Sequence, residues 1–411
     1  MAFAMITYMS PGQSWLSRKY LLYKLFSNLW FLSATWLYFY RIFITDQQVG
    51  FLDGMAFAIG LLAEVPSGAL ADKFGRDKMV RLGQILAGGG LLVQAAGSSF
   101  MPFFVGQAIM MIGVAFVSGA DDALFFERLK FSQESKQWRK LLMRGSQIAL
   151  VGTLVATVAG GWLYGFGPRI PWILTGLSFI LSALIIWPVS DGRERAKRKK
   201  FIPELKEYLS DIKTGFVEFR LPKLWLYVPI IITVQGLFYA TGYGLLRLIL
   251  LGRFGFSPFW GSVVIASSSL ITVGLLSLMH KHADSLSEKK VISIISLSAA
   301  AGLVLSLANI GLWGYVVILV LYAGEYLLQP FMSETINYHA PERQRATILS
   351  VASFLKALPY VILAPTIGYL NTQGKLSYFL IGWSCLIVVA VLYYLAKKRT
   401  DDKIKLDGLA E

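Results

Sequence analysis

Four charged side chains interrupt stretches of this sequence that are otherwise apolar. Asp53 and Glu64 fall in one apolar run, Glu325 stands midway in another (Tyr322-Ala323-Gly324-Glu325-Tyr326), and Lys356 lies in a third. An ionisable group in an apolar segment long enough to cross a membrane is costly, so each is a candidate for handling a proton, an ion or a substrate. No base precedes Glu325 in its own run. A lone carboxyl there suits proton or cation binding, which makes Glu325 the first candidate for coupling or substrate contact. Asp53 is the rival, although Arg41 and Asp46 lie close to it in sequence. An exterior gate pair Arg41–Asp53 is therefore preferred for it. Arg247 stands in the seventh apolar run where Arg41 stands in the first, and Lys24, one turn into the first run, reads as a snorkelling base.

Other chemistries have little support. The chain has one cysteine, Cys385, and three histidines, His280, His282 and His339, all outside any metal-ligand spacing. No metal or other cofactor is expected. Neither a nucleotide-binding P-loop nor a His-Glu-x-x-His pattern occurs, so an enzyme is not expected. A net charge of +15 could suggest nucleic acid. The bases, however, lie in short segments between long apolar runs, which is the positive-inside pattern of membrane loops.

The elements that must carry these residues follow from composition. Of 411 residues, 55% are hydrophobic and 15% charged, too little charge to cover the surface of a water-soluble chain of this size. Continuous apolar runs rather than alternating ones exclude a membrane barrel. Twelve runs meet the length of about 20 residues that a helix needs to span a bilayer: 20–41, 49–71, 79–98, 101–126, 142–166, 170–189, 224–250, 258–280, 290–310, 312–335, 346–370 and 376–396. With the N-terminus inside, all but seven of the 39 Lys and Arg residues fall in inner segments; the seven are Lys24, Arg41, Arg169, Arg247, Arg253, Lys356 and Lys375. Both termini are therefore expected in the cytoplasm of a multi-pass protein of the cell membrane. The first seventeen residues show no cleavable-signal pattern. A basic stretch over 190–223 reads as a cytoplasmic linker near lipid headgroups. It divides the chain into a six-helix half over 1–189 and another, with a cytoplasmic tail, over 224–411. Six plus six suggests an internal duplication.

Between the second and third runs the chain reads Gly68-Ala69-Leu70-Ala71-Asp72-Lys73-Phe74-Gly75-Arg76-Asp77-Lys78. This fits G-x-x-x-D-[RK]-x-G-R-[RK] except at Asp77, which replaces a base just before Lys78. With its place in the chain and the twelve runs, the motif resembles that of the major facilitator superfamily of secondary transporters, over essentially the whole sequence. The resemblance implies an all-α protein of two pseudo-symmetric six-helix bundles. It implies that Asp72 meets the start of the eleventh span, and that Arg76 reaches an acid on the fourth, with Asp121 or Asp122 at the right depth. Together these would latch the cytoplasmic side. Gly68 would permit close helix approach and Gly75 a tight turn. In that fold the second and eleventh spans face each other. Glu64, eight residues before Asp72, and Lys356, eleven after Arg345, are then expected to pair in one state. Aligning Asp284 with Asp72 puts Glu288 at the position of Arg76, in a degenerate second copy.

The sequence also departs from the drug–proton antiporters that it resembles. Their fifth span carries G-x-x-x-G-P-x-x-G-G; here Ala156-Thr157 replaces Gly-Pro, while Gly152, Ala156 and Gly160 keep one smooth face. Antiport and plain helix packing both fit that face. Their fourth-span arginine is missing around Gly113. The first and seventh spans, which line the cavity in this fold, are rich in aromatics, Trp30 and Tyr239 among them, with few polar neighbours such as Asn28 and Gln235. Such a cavity favours an amphipathic small molecule over a sugar. The reading is alternating-access transport: proton-coupled export of a small amphipathic molecule, with protons and lipid as further partners and a monomer as the working unit. Proton symport or uniport of a metabolite is the alternative, and a non-transporting receptor the alternative of another class.

Overall fold

The computed structural model describes residues 15–132, 135–189, 222–242, 244–282, 286–341 and 345–407. Among them there is no strand, and each of the twelve apolar runs holds helix. In hydrocarbon a backbone must satisfy its own hydrogen bonds, and helices do so within one segment. Seven helical stretches are long and apolar enough to cross a membrane: Arg76–Ala96, Phe100–Phe131, Trp138–Leu163, Pro258–Lys281, Gly311–His339, Val351–Thr372 and Leu376–Lys398. Val228–Gly242 and Leu245–Arg253, which meet at 67°, make an eighth if taken as one span. The second span is the helix Asp46–Phe74, the sixth Ile170–Ile186 and the ninth Glu288–Leu305. The chain is an all-α, multi-pass membrane protein. The linker over 190–221 and the loop position of Asp284 lie outside the described residues.

The described residues divide into two compact units. Unit 1 holds 15–44, 55–189 and 258–263; unit 2 holds 45–54, 222–257 and most of 264–407. The first turns of the second and eighth spans are thus grouped away from the rest of their halves.

In unit 1 the third span packs on the fourth through glycines. A Cβ on Gly90 would lie 2.4 Å from the Gly106 carbonyl, and one on Gly113 would lie 2.5 Å from the Gly83 carbonyl. Gly113 thus serves close packing where an antiporter arginine motif was sought. The lead span of each unit is interrupted. In the first, the helix Trp15–Phe26 gives way to turns over 27–35 before Trp36–Tyr40. The smooth face of the fifth span is shaped for that irregular strip. A Cβ on Gly160 would fall 1.7 Å from the Phe31 carbonyl, and Thr153 Oγ1 donates to the Asn28 carbonyl at 2.8 Å. The seventh span contains a π-helical turn over Ile231–Gln235 and breaks after Gly242. Irregular backbone at such depth is tolerated where protein or a cavity covers it.

Candidate functional site

The inner loop motif begins at the end of the second span. Gly75, with φ 97°, ends that helix and opens the third, whose first residue is Arg76. A cation at a helix N-terminus faces the positive end of the dipole, so Arg76 needs an acid. Arg76 Nη1 donates to Glu127 Oε1 at 2.8 Å. The sequence reading had Asp121 or Asp122 in that role. The acid found here is one to two turns further along the same helix, Ala120–Phe131, about 8 Å nearer the loop. Asp77, the departure from the motif, pairs with Arg81 one turn on, and Arg81 Nη1 donates to the Trp187 carbonyl at 2.8 Å. That carboxylate ties the third span to the end of the sixth. Lys78 is exposed, and Lys73 lies over the Phe74 ring. Gly68 makes no close approach in this structure, since a Cβ there would meet nothing within 4 Å. The side chain of Asp72 and residues 342–344 lie outside the described set.

Asp121 and Asp122 belong to a deeper cluster. Lys24 Nζ lies 2.8 Å from Asp121 Oδ2 and 2.9 Å from Asp122 Oδ1. Tyr20 donates to Asp122 at 3.0 Å and Tyr23 to Asp121 at 3.3 Å. Gln84 Nε2 donates to the Tyr23 oxygen at 3.0 Å. Lys24 is therefore held rather than snorkelling. The helix break before Gly119, at φ 70°, starts a new helix whose first turn carries both aspartates, where the dipole favours them.

In unit 2 the residues around the seventh-span break converge on one carboxylate. Glu325 is 7% exposed, and its Oε1 receives Lys356 Nζ at 3.5 Å. Its Oε2 has no partner among the described residues. A Cβ on Gly242 would lie 2.0 Å from that oxygen, so only glycine leaves the carboxylate its seat. Lys356 also lies 5.8 Å from the centre of the Tyr239 ring, which meets Tyr360 edge-on. Tyr360 donates to Asp53, and its oxygen accepts the Leu245 N–H at 2.7 Å. Gly244 makes that possible, because a Cβ there would fall 2.3 Å from the hydroxyl. Asp53 is thus bound by a tyrosine of the eleventh span, where the sequence suggested Arg41. Lys356 holds Glu325, where the sequence set it against Glu64. The distance between Tyr322 and Lys356 in the sequence hid that pairing.

The remaining candidates have local roles. Asn28 Nδ2 donates to the Lys24 carbonyl at 2.8 Å and so caps the first helix where it unwinds. Trp30 packs edge-on against Phe179 at 5.0 Å. Gln235 Nε2 reaches Gln329 Oε1 at 3.5 Å from the π-helical turn. Arg41 is half-buried and Glu64 exposed.

The position aligned with Arg76 in the second half, Glu288, is likewise the first residue of its helix. It accepts from Tyr227 at 2.8 Å and Tyr394 at 3.1 Å, and pairs with Lys398 at 3.3 Å. Sequence reasoning treated this copy as degenerate. The ion pair persists there with its charges exchanged. The signal that could have found Glu127 and Lys398 was the placement of one opposite charge at the far end of a neighbouring span.

Comparisons agree with this architecture. Multidrug resistance protein 2 of Bacillus subtilis (strain 168) is 22% identical over 373 residues, 89% of this chain and 90% of that protein. The crystal structure of the peptide transporter POT with sulfate superposes with a TM-score of 0.75 at 13% identity, covering 97% of this chain and 98% of that one. A nucleoside transporter structure also superposes with a TM-score of 0.75, at 12% identity, covering 93% of this chain and 99% of that one. The sequence model described as Major Facilitator Superfamily matches residues 20–364, and the chain belongs to that superfamily.

Proposed function

We propose that this protein exports a small amphipathic molecule by alternating access, driven by inward proton movement. It works in the cell membrane as a monomer with both termini cytoplasmic. The observation that carries the coupling is Glu325: a buried carboxylate with one oxygen loosely held by Lys356 at 3.5 Å and the other without a partner among the described residues. A carboxylate so weakly engaged can trade its lysine for a proton at small cost, because it gives up only a long contact. The glycine at 242 keeps that oxygen accessible to a proton. Export as the direction draws on the relative named for multidrug resistance. The loop motif from Gly68 to Lys78 is the moving part of the proposal. Asp72→Asn is expected to preserve expression and strongly reduce transport; normal transport in that variant would remove the motif from the mechanism.

The test is flux through the purified full chain in proteoliposomes. Export that requires a pH gradient supports the reading. Flux indifferent to the gradient replaces it with uniport, and uptake along with protons replaces it with symport. A ligand that binds without any flux would mark a receptor.

A further inference from the structure

The buried cluster of unit 1 holds more negative than positive charge. One ammonium, Lys24, sits against two carboxylates, Asp121 and Asp122. Gln84, 4% exposed and hydrogen-bonded to Tyr23 in the same cluster, keeps its Oε1 without a partner among the described residues. The ring centres of Tyr20 and Tyr23 lie 5.6 and 5.9 Å from the ammonium, within the range of cation–π attraction. The surplus carboxylate, the orphaned amide oxygen and the two π-faces all attract positive charge, and an anion would find nothing there but acceptors. Access is uneven. The Asp122 side chain is 43% exposed and that of Asp121 15%, so Asp122 is the group an incoming ligand meets. The first span unwinds just beyond Lys24, at 27–35.

We propose that this cluster binds the charged group of an organic monocation, and that Lys24 is a tethered stand-in which the ligand displaces from Asp122. The inference names a substrate class for the export reading, and its place in transport rests on that reading. Binding itself does not require flux.

The experiment is equilibrium binding to the purified full chain, with tetraphenylphosphonium as probe and tetraphenylborate, of the same shape and opposite charge, as control. The wild type is expected to bind the phosphonium saturably and the borate not at all. Lys24→Met is expected to tighten the phosphonium about tenfold, and Asp122→Asn to weaken it about tenfold, the order for one partly screened charge. Lys24→Arg is expected to leave the affinity unchanged. Should Lys24→Met fail to fold with two unpaired carboxylates, the double variant Lys24→Met/Asp122→Asn, with one carboxylate and no competitor, is expected to bind at least as tightly as wild type. The proposal is overturned if the wild type does not bind the phosphonium. It is also overturned if the single variants leave the affinity unchanged, if the double variant loses binding, or if the borate follows the same pattern. Binding as expected together with flux indifferent to a pH gradient would sink proton coupling and leave this site standing.

Discussion

The two units bury opposite proportions of charge and hold them with different firmness. In unit 1, one ammonium meets two carboxylates at 2.8 and 2.9 Å, and two tyrosines donate to the same acids. In unit 2, Glu325 has one lysine at 3.5 Å and an oxygen without a partner among the described residues, with the buried guanidinium of Arg247 on the seventh span beyond the break. Charge-assisted bonds are strong when short and every lone pair is used, and a half-satisfied buried group is costly. The first arrangement stabilises one charge state. The second leaves its carboxylate poised between states. The helix starts differ in the same sense. Arg76 opposes its helix dipole and depends on Glu127, while Glu288 agrees with its dipole and has two tyrosines besides Lys398.

If the loose carboxylate of unit 2 carries the proton, Glu325→Gln produces the largest effect. A one-for-one exchange under a pH gradient of one unit supports roughly tenfold accumulation. In the variant that accumulation is expected to vanish while downhill flux persists, measured in proteoliposomes with and without the gradient. An unchanged pH profile would remove Glu325 as the coupling group and erase the functional side of the contrast.

Two glycines sharpen it next. Gly160→Ala drives a methyl into the Phe31 carbonyl. Overpacking of this kind costs about 1–3 kcal/mol, so a lower Tm with coupling intact in the surviving protein is expected. Gly242→Ala drives its methyl into Glu325 Oε2 instead. There the gradient dependence is expected to weaken along with the stability. If both variants lose only stability, or both lose coupling, the units do not divide their work in this way.

What could be read from the sequence depended on the range of the interaction concerned. Twelve apolar runs and the Gly68–Lys78 motif are local patterns, and lipid forces a helix from each run, so the fold class was legible. The charged residues within the runs were legible as costly, and therefore as candidates. Their partners were not. Lys356 pairs with Glu325 across 31 positions and Tyr360 with Asp53 across 307, and span length and depth alone leave the rotation of each helix undetermined. A one-turn error in depth was enough to exchange Asp122 for Glu127 as the partner of Arg76. The breaks in the first and seventh spans left a fainter trace. Gly242 and Gly244 flank one of them, but hydropathy does not register where an apolar run stops being helical.

The helix-start pairs give the next test. Glu127→Gln takes the charge-assisted bond from Arg76, whose side chain is 24% exposed, and leaves a cation against its dipole. Bonds to charged groups contribute about 1.5–3 kcal/mol, and partial exposure puts the expected loss near the lower figure, read as a fall in thermal stability. A loss no larger than that of the corresponding unit 2 variant would mean that the dipole argument does not distinguish the two starts.

The corresponding variant is Lys398→Met, and its effect is expected to be the smallest. Lys398 and Glu288 are 24% and 29% exposed, their contact is 3.3 Å, and Glu288 keeps the hydroxyls of Tyr227 and Tyr394. A screened pair of this kind contributes about 0–1 kcal/mol. The acid left behind still lies in the first turn of its own helix, where negative charge is favoured by roughly 0.3–1 kcal/mol. The methionine preserves the apolar stem over the Tyr227 ring and removes only the ammonium. Tm is therefore expected to shift little, and less than in Glu127→Gln. A larger fall than in Glu127→Gln would show that Lys398, rather than the dipole and the tyrosines, fixes Glu288, and the two inner ends would then be equivalent with their charges reversed.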